Sequence, residues 1–448
     1  LKSAIICFFI LTACACILPA NSCAGVFDIG PDKAYKKISD IDWDALNPGD
    51  IVQIHYKSKP YREKIALNRS GTKKKPIIIR GIPSSKGDLP ILDGKGADHF
   101  QNSIDAGLIK RALILVGCDK PANNIVIENL ELRNANNSNA FYFKGQKVEY
   151  ASNANGILIK KGKNVKIKKC RIHACCVGVQ TSYYPFVDKV LLSQNIIYNN
   201  GDFSGTHWGH NVYLCAKTTI VEFNHFGELH SDGNNIKDRS QTAVIRYNWI
   251  QGGMSRQIDM VETPKYPNAN AFVYGNVIIS GKKTKNPKMI LFGGDTTGKD
   301  GKSLGRSRNG VLYFFNNTVH YTNQGLEAFL VVNRVTCQAI VYNNAFFGGN
   351  QIWIGAGSVL GSNNLLGFGA KPKGMINNYF GGIEQVSKRG NIRYIPSMRS
   401  LLVDRGTTKI PLAVKYMPLP LTGKIKRKIK NRLDIGAYEL NAETISLK

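Results

Sequence analysis

Acidic residues are scarce in this chain. Asp and Glu number 31 against 60 Lys and Arg, a formal net charge of +29 over 448 residues. A surface so short of carboxylates should attract an anion: nucleic acid, an acidic lipid headgroup or an acidic polysaccharide. Metal signatures are missing too. There is no CxxC pair, no zinc-finger spacing and no HExxH run, so zinc chemistry has no evident ligands. Hairpin turn signals such as Asn-Gly between paired strands are few, which argues against a β-sandwich. Beyond the N-terminus, no stretch is apolar over enough residues to span a bilayer. Hydrophobic content of 43% still allows a large core.

The N-terminus reads "LKSAIICFFILTACACILPANSCAG". Lys2 precedes an apolar run from Ala4 to Leu18, then Pro19 and the small residues Ser22-Cys23-Ala24. This layout predicts a secretory signal peptide over residues 1–24. A rival reading takes "LTAC" (Leu11–Cys14) as a lipoprotein box with anchoring at Cys14. Either way the expected location is secreted or periplasmic, and nucleic acid is not an expected partner. Past residue 24 the cysteines are Cys118, Cys170, Cys175, Cys176, Cys215 and Cys337. Export permits disulfides. These six, however, mostly fall in apolar strand-like runs and read as small core hydrophobes.

The middle of the chain repeats itself. "KVLLSQNIIY" (Lys189–Tyr198), "TIVEFNHF" (Thr219–Phe226), "AVIRYNWI" (Ala243–Ile250) and "AFVYGNVI" (Ala271–Ile278) share one pattern: a β-rich run, an asparagine, then an apolar pair. The asparagines fall at Asn195, Asn224, Asn248, Asn276, Asn316 and Asn343, with Cys170 in the slot of an earlier copy. One longer gap holds the polar insert "GDTTGKDGKSLGRSRNG". A period in the twenties, with strand but no helical pattern, predicts an all-β fold: a single right-handed parallel β-helix over residues 25–448. Asparagine suits the bend between strands, because it tolerates left-handed angles and can bond its counterpart on the next coil. An N-terminal cap is expected at about 25–75, with a short helix in Tyr35–Leu46. A C-terminal cover over the last coil is expected at about 384–448.

A second set of strands lies between the asparagine strands: "GILIK", "HNVYL", "NNIKD", "RQIDM" and "PKMIL". Strand alternation turns Ile157, Ile159, Val212, Leu214, Ile236, Ile258 and Met260 inward. It turns Leu158, Tyr213, Lys237 and Asp259 outward, so the last three should stack on successive coils. Asp238 is taken to mark a strand end, with Arg239 emerging at the corner. The asparagine strands give another outward column: Lys168, Ser193, Glu222, Arg246 and Tyr274. There Glu222 and Arg246 should form an ion pair of little energetic worth. His207, His210, His225 and His230 also crowd into this region.

A basic wall of this kind suits β-elimination from a uronic acid polymer. Something must neutralise the carboxylate, a base must take the C5 proton, and a donor can assist the leaving oxygen. Lys237, flanked by Arg239 and Arg256, is the candidate base, because neighbouring cations favour loss of its proton. Arg239 is the candidate carboxylate clamp or proton donor. His210 and His230 are further acid/base candidates. Tyr213, Arg256, Asp259 and Arg246 are candidate substrate contacts. Hydrolysis would want two carboxylates several ångströms apart. Asp232, Asp259, Glu228 and Glu262 are available, but no two pair convincingly.

The segments "NPGDIVQIHYKSKPYREKIAL" and "SGTKKKPIIIRG", the asparagine coils and the closing "DIGAYE" resemble secreted bacterial right-handed β-helix proteins of the polysaccharide lyase type, over residues 26–440. Within them, Gly233-Asn234-Asn235-Ile236-Lys237-Asp238-Arg239 is similar to a Gly-His-x-x-Lys-Ser-Arg pattern found in a subgroup of undefined substrate. The glycine, Lys237 and Arg239 match; Asn234 and Asp238 depart. The subgroup's upstream His-Asn pair falls on His210-Asn211. A weaker resemblance to alginate and chondroitin lyases implies a lysine base, an arginine on the next coil and Ca²⁺. Their Asn-Lys-Ser motif falls on Asp238-Arg239-Ser240, their acidic ligands fall on Asp232 and Asn234, and their arginine falls near Val261-Glu262. Three functions stay open on the sequence. The leading one is an exported lyase acting on an acidic polysaccharide. The others are a non-catalytic glycan-binding or adhesin solenoid and a β-helix glycoside hydrolase.

Overall fold

The computed structural model describes residues 24–440, apart from 102–105, 184, 206–208, 262–267, 295–307, 350, 368–371 and 422. The signal segment, Cys14, His207, Glu262 and most of the polar insert therefore lie outside the described residues. Three long parallel sheets of 13, 10 and 11 strands run the length of the chain, wound as a right-handed parallel β-helix. One coil shows how they connect. Gly209–Leu214 belongs to the 10-stranded sheet, Thr218–Glu222 to the 13-stranded sheet and His225–Phe226 to the 11-stranded sheet. The chain then returns as Gly233–Asp238, paired in parallel on Gly209–Leu214.

Alternation explains the interior. Ile157, Val179, Val212, Ile236, Ile258, Ile290 and Leu330 stand in one inward column. All are fully buried, each stabilising the stack by about 1.5–3 kcal/mol. The six cysteines past residue 24 are buried thiols. Burial pushes the pKa of Cys170 and Cys215 up to about 12.

The asparagine bend uses two residues, not one. Asn195, Asn224, Asn248, Asn276, Asn317, Asn344, Asn364 and Asn378 form a ladder in which each side-chain amide donates to the next carbonyl oxygen at 2.9–3.2 Å. The residue before each rung takes the left-handed backbone: Phe223 at φ 56, Tyr247 at 57, Asn316 at 51 and Asn343 at 56. Asn316 and Asn343, expected as rungs, hold that preceding position instead, and their successors carry the ladder. A second, shorter ladder runs Asn200–Asn211–Asn235–Gln257 behind the 10-stranded sheet.

The ends differ from expectation. Tyr35–Leu46 forms only a three-residue 3-10 turn at Ile38–Asp40. Ile38, Ile41, Trp43 and Leu46 bury themselves without helical spacing, and the Trp43 indole donates to the Ile38 carbonyl at 3.0 Å. The segment after Ile383 was expected over the last coil. It runs back along the outside of the stack, because an apolar corner there needs cover. Ile392, Tyr394, Ile395, Met417 and Tyr438 pack on Trp249, Val277, Ile279, Ala345 and Phe347. Val414 and Tyr416 pack on Phe223, Tyr247, Tyr274 and Phe315. Among the described residues, no helix is long and apolar enough to cross a membrane.

Candidate functional site

The outward face of the 10-stranded sheet carries one continuous column: Leu158, Gln180, Tyr213, Lys237, Asp259, Leu291, Val331 and Ile354. Its ends are apolar, and Leu291, Val331 and Ile354 form a small cluster with Val261. Its centre is charged. Tyr213, Lys237 and Asp259 stand on three successive coils, as strand alternation requires.

Asp259 organises the centre. Only 3% of its side chain is exposed, and both oxygens are engaged. One accepts the Asn234 amide at 2.8 Å and lies 3.5 Å from Lys237 Nζ; the other lies 3.3 Å from Arg256 Nη1. Asn234 locks the arrangement, since its own carbonyl oxygen accepts the Arg256 backbone N–H at 2.9 Å. Lys237 Nζ and the Arg239 guanidinium each lie 5.7 Å from the centre of the Tyr213 ring, within cation–π range. Arg256 Nε has no hydrogen-bond partner among the described residues. Below Tyr213, Arg111 donates to Gln180 at 3.2 Å and extends the polar strip by one coil.

Close strand approach explains the glycine that opens this stretch. A Cβ on Gly233 would stand 1.6 Å from the Gly209 carbonyl oxygen. His210 sits one coil below Asn234, and its Nδ1 accepts the Asn234 N–H at 3.1 Å. The ring proton is therefore on Nε2. Burial, reinforced by the charge of Lys237, drives the His210 pKa down to about 3. A histidine so buried stays neutral and packs edge-on against Tyr213. That makes it a positioning residue and a poor general acid.

Other sequence candidates lie apart. His230 is exposed on the loop before Gly233, stacked on Phe203 at 3.8 Å; no contact joins it to Lys237 among the described residues. Arg246 is on the 13-stranded sheet, a different wall. There it donates to Glu222 at 2.6 and 2.8 Å and to the Tyr274 hydroxyl at 2.9 Å. Burial opposes its charge, but Tyr274 and Glu222 outweigh that and hold its pKa above the ordinary value. His225 sits on the 11-stranded sheet, where burial lowers its pKa to about 4.

The calcium ligands do not assemble. Asp232 is exposed and pairs with Lys285 at 3.0 Å. The Asn234 oxygen is occupied by Arg256, and no group of three His, Cys, Asp or Glu could hold a metal among the described residues. A calcium ion therefore does not fit the residues assigned to it.

Asp238 ends its strand but faces inward, contrary to the expectation of a strand-end residue alone. It is fully buried, accepts from Thr219 at 2.8 Å and from the Ser240 N–H at 2.8 Å, and lies 3.6 Å from Arg308. Sequence reading missed Arg308, which lies near the end of the polar insert, where its polar and glycine neighbours do not mark a core residue. It also missed the bridging role of Asn234, which the register with His210 could have suggested.

No family model and no curated protein matches the chain. Solved structures do. The alginate lyase from Paenibacillus sp. str. FPU-7 is similar at 12% identity, covering 73% of this chain and 95% of that one, with a TM-score of 0.42. The GH136 lacto-N-biosidase from Eubacterium ramulus is similar at 12% identity over 80% and 68%, with a TM-score of 0.43. The pectate lyase Pel9A is similar at 12% identity over 94% and 97%, with a TM-score of 0.52. At such identity the likeness is one of architecture: over nearly its whole length this chain shares the right-handed parallel β-helix of a polysaccharide lyase.

Proposed function

We propose that the protein is an exported polysaccharide lyase that cleaves a uronate-containing polymer by β-elimination on the outer face of the 10-stranded sheet. The carrying observation is the Tyr213–Lys237–Asp259 stack, with Arg239 and Arg256 beside it. Tyr213 offers the sugar an aromatic face. Arg239 and Arg256 meet the uronate carboxylate, as bidentate donors suited to it. In its neutral amine form Lys237 Nζ takes the C5 proton, the electron pair forms the C4–C5 double bond, the C4–oxygen bond breaks, and the proton gained by Lys237 passes to the leaving oxygen. Asp259 holds Lys237 and Arg256 in place. Residues 1–24 act as the export segment in this reading.

Hydrolysis is less well supported. Asp259 already shares its oxygens with Asn234, Lys237 and Arg256, and a hydrolase needs a carboxylate pair free to work on substrate.

The test is incubation with alginate, pectate, hyaluronan, heparin and chondroitin. The lyase reading expects a new ultraviolet absorbance from unsaturated uronate ends with at least one polymer. Lys237→Gln should slow it by about 10²–10⁴-fold. New reducing ends without that absorbance would favour a hydrolase. Salt-sensitive binding without chain shortening would leave a glycan-binding solenoid.

A further inference from the structure

The groove uses few of the chain's cations. Between Ile383 and Leu440 stand 13 Lys and Arg against four Asp and Glu. Three of these groups are taken inside: Arg427, Asp434 and Glu439 are buried, with Arg427 bonded to Glu439. Glu384 and Asp404 are the remaining acids. Within the run 424–432, Lys424, Lys426, Lys428, Lys430 and Arg432 are all exposed.

Aliphatic side chains stand among them in water. Leu412 is 40% exposed, Ile429 49% and Leu421 60%. A cavity of about 490 Å³ opens beside Lys415, Lys426 and Ile429, with Ile410, Val414 and Tyr416 among its lining residues. Its size is that of a small-molecule site. The segment covers the corner of the 13- and 11-stranded sheets, a different wall from Lys237. Exposed leucine and isoleucine set between lysines match the interface of a bilayer, where cations meet phosphate and aliphatic chains enter the acyl boundary. A sugar polymer would be better served by aromatic faces.

We infer that the C-terminal segment is a docking surface for an anionic lipid bilayer. Lys415, Lys426 and Lys430 meet the headgroup phosphates, Leu412, Leu421 and Ile429 enter the boundary, and the cavity takes part of an acyl chain. The groove on the other wall stays open to solvent.

The experiment is co-sedimentation of the full chain with vesicles of phosphatidylcholine alone or mixed with phosphatidylglycerol. Binding is expected only to the anionic vesicles, and salt should weaken it. The triple variant Lys415→Gln, Lys426→Gln, Lys430→Gln should lose about a hundredfold in affinity. The pair Leu421→Ser, Ile429→Ser should lose about tenfold. Both are checked against the parent's thermal transition, and the glutamine variant stands alone if the serine pair fails to fold. Equal binding to neutral and anionic vesicles, or none, overturns the inference. So does displacement by soluble heparin together with indifference to the serine pair, which would make the surface a general polyanion site.

Discussion

Asp238 and Asp259 lie on neighbouring coils of one sheet and face opposite ways. Asp238 points into the cylinder, where Thr219, Ser240 and Arg308 close around it and neither it nor Arg308 is exposed. Asp259 points outward, and its cations Lys237 and Arg256 keep 16% and 17% of their side chains in solvent. The same residue type thus serves as an interior lock on one face and an adjustable hub on the other. What differs is whether water can replace a lost partner. An interior pair has no substitute, so breaking it strands a charge. At the groove, solvent can take over, and under the proposed function an anionic substrate would compete for the same cations.

The largest expected effect breaks the interior lock. Asp238→Ala should cost about 3–5 kcal/mol in denaturant unfolding, since Arg308 is left buried and unpaired. Next comes the neutral interior. Asn248→Ala should cost about 3 kcal/mol, because it strands the Asn224 donors and removes two bonds to backbone carbonyls. On the outer face, Asp259→Asn should cost only about 1–2 kcal/mol while abolishing most activity.

Lys64 sharpens the contrast as a buried lysine with no carboxylate partner among the described residues. Its Nζ lies 3.5 Å from the Phe141 ring centre and donates to the Ile109 carbonyl. Burial holds its pKa well below 10.5. The unfolded chain then binds the proton more readily, so native stability should rise with pH toward the ordinary lysine range. Lys64→Met should flatten that slope and stabilise the neutral-pH protein by about 1 kcal/mol, read from melts across pH. Glu222→Gln, at the half-exposed pair with Arg246, should change stability by less than about 1 kcal/mol.

Strand faces were legible in the sequence because a side-chain period of two leaves little choice once one face is buried. That period placed Tyr213, Lys237 and Asp259 on successive coils, and Glu222 over Arg246. The exact rung of the asparagine ladder was not legible where two asparagines adjoin. At Asn316-Asn317 either residue suits the bend, and only backbone geometry assigns the left-handed angle to the first. Arg308 was invisible for another reason: its partners Asp238, Ala269 and Asn270 are distant in sequence. The path of the C-terminal segment was equally hidden, because the apolar corner it covers exists only after the coils have stacked.

That path also sets a length. Leu421 bonds His225, Lys415 bonds Tyr247, Thr407 bonds Asn343, and Ala437 bonds Thr318. The tail therefore works as a ruler laid along the turns it spans. Duplicating a turn ahead of Cys170 would leave every graduation aligned. Duplicating one between Tyr247 and Thr318 would throw the scale out of step, so the protein's own tail fixes how many turns separate its anchoring points.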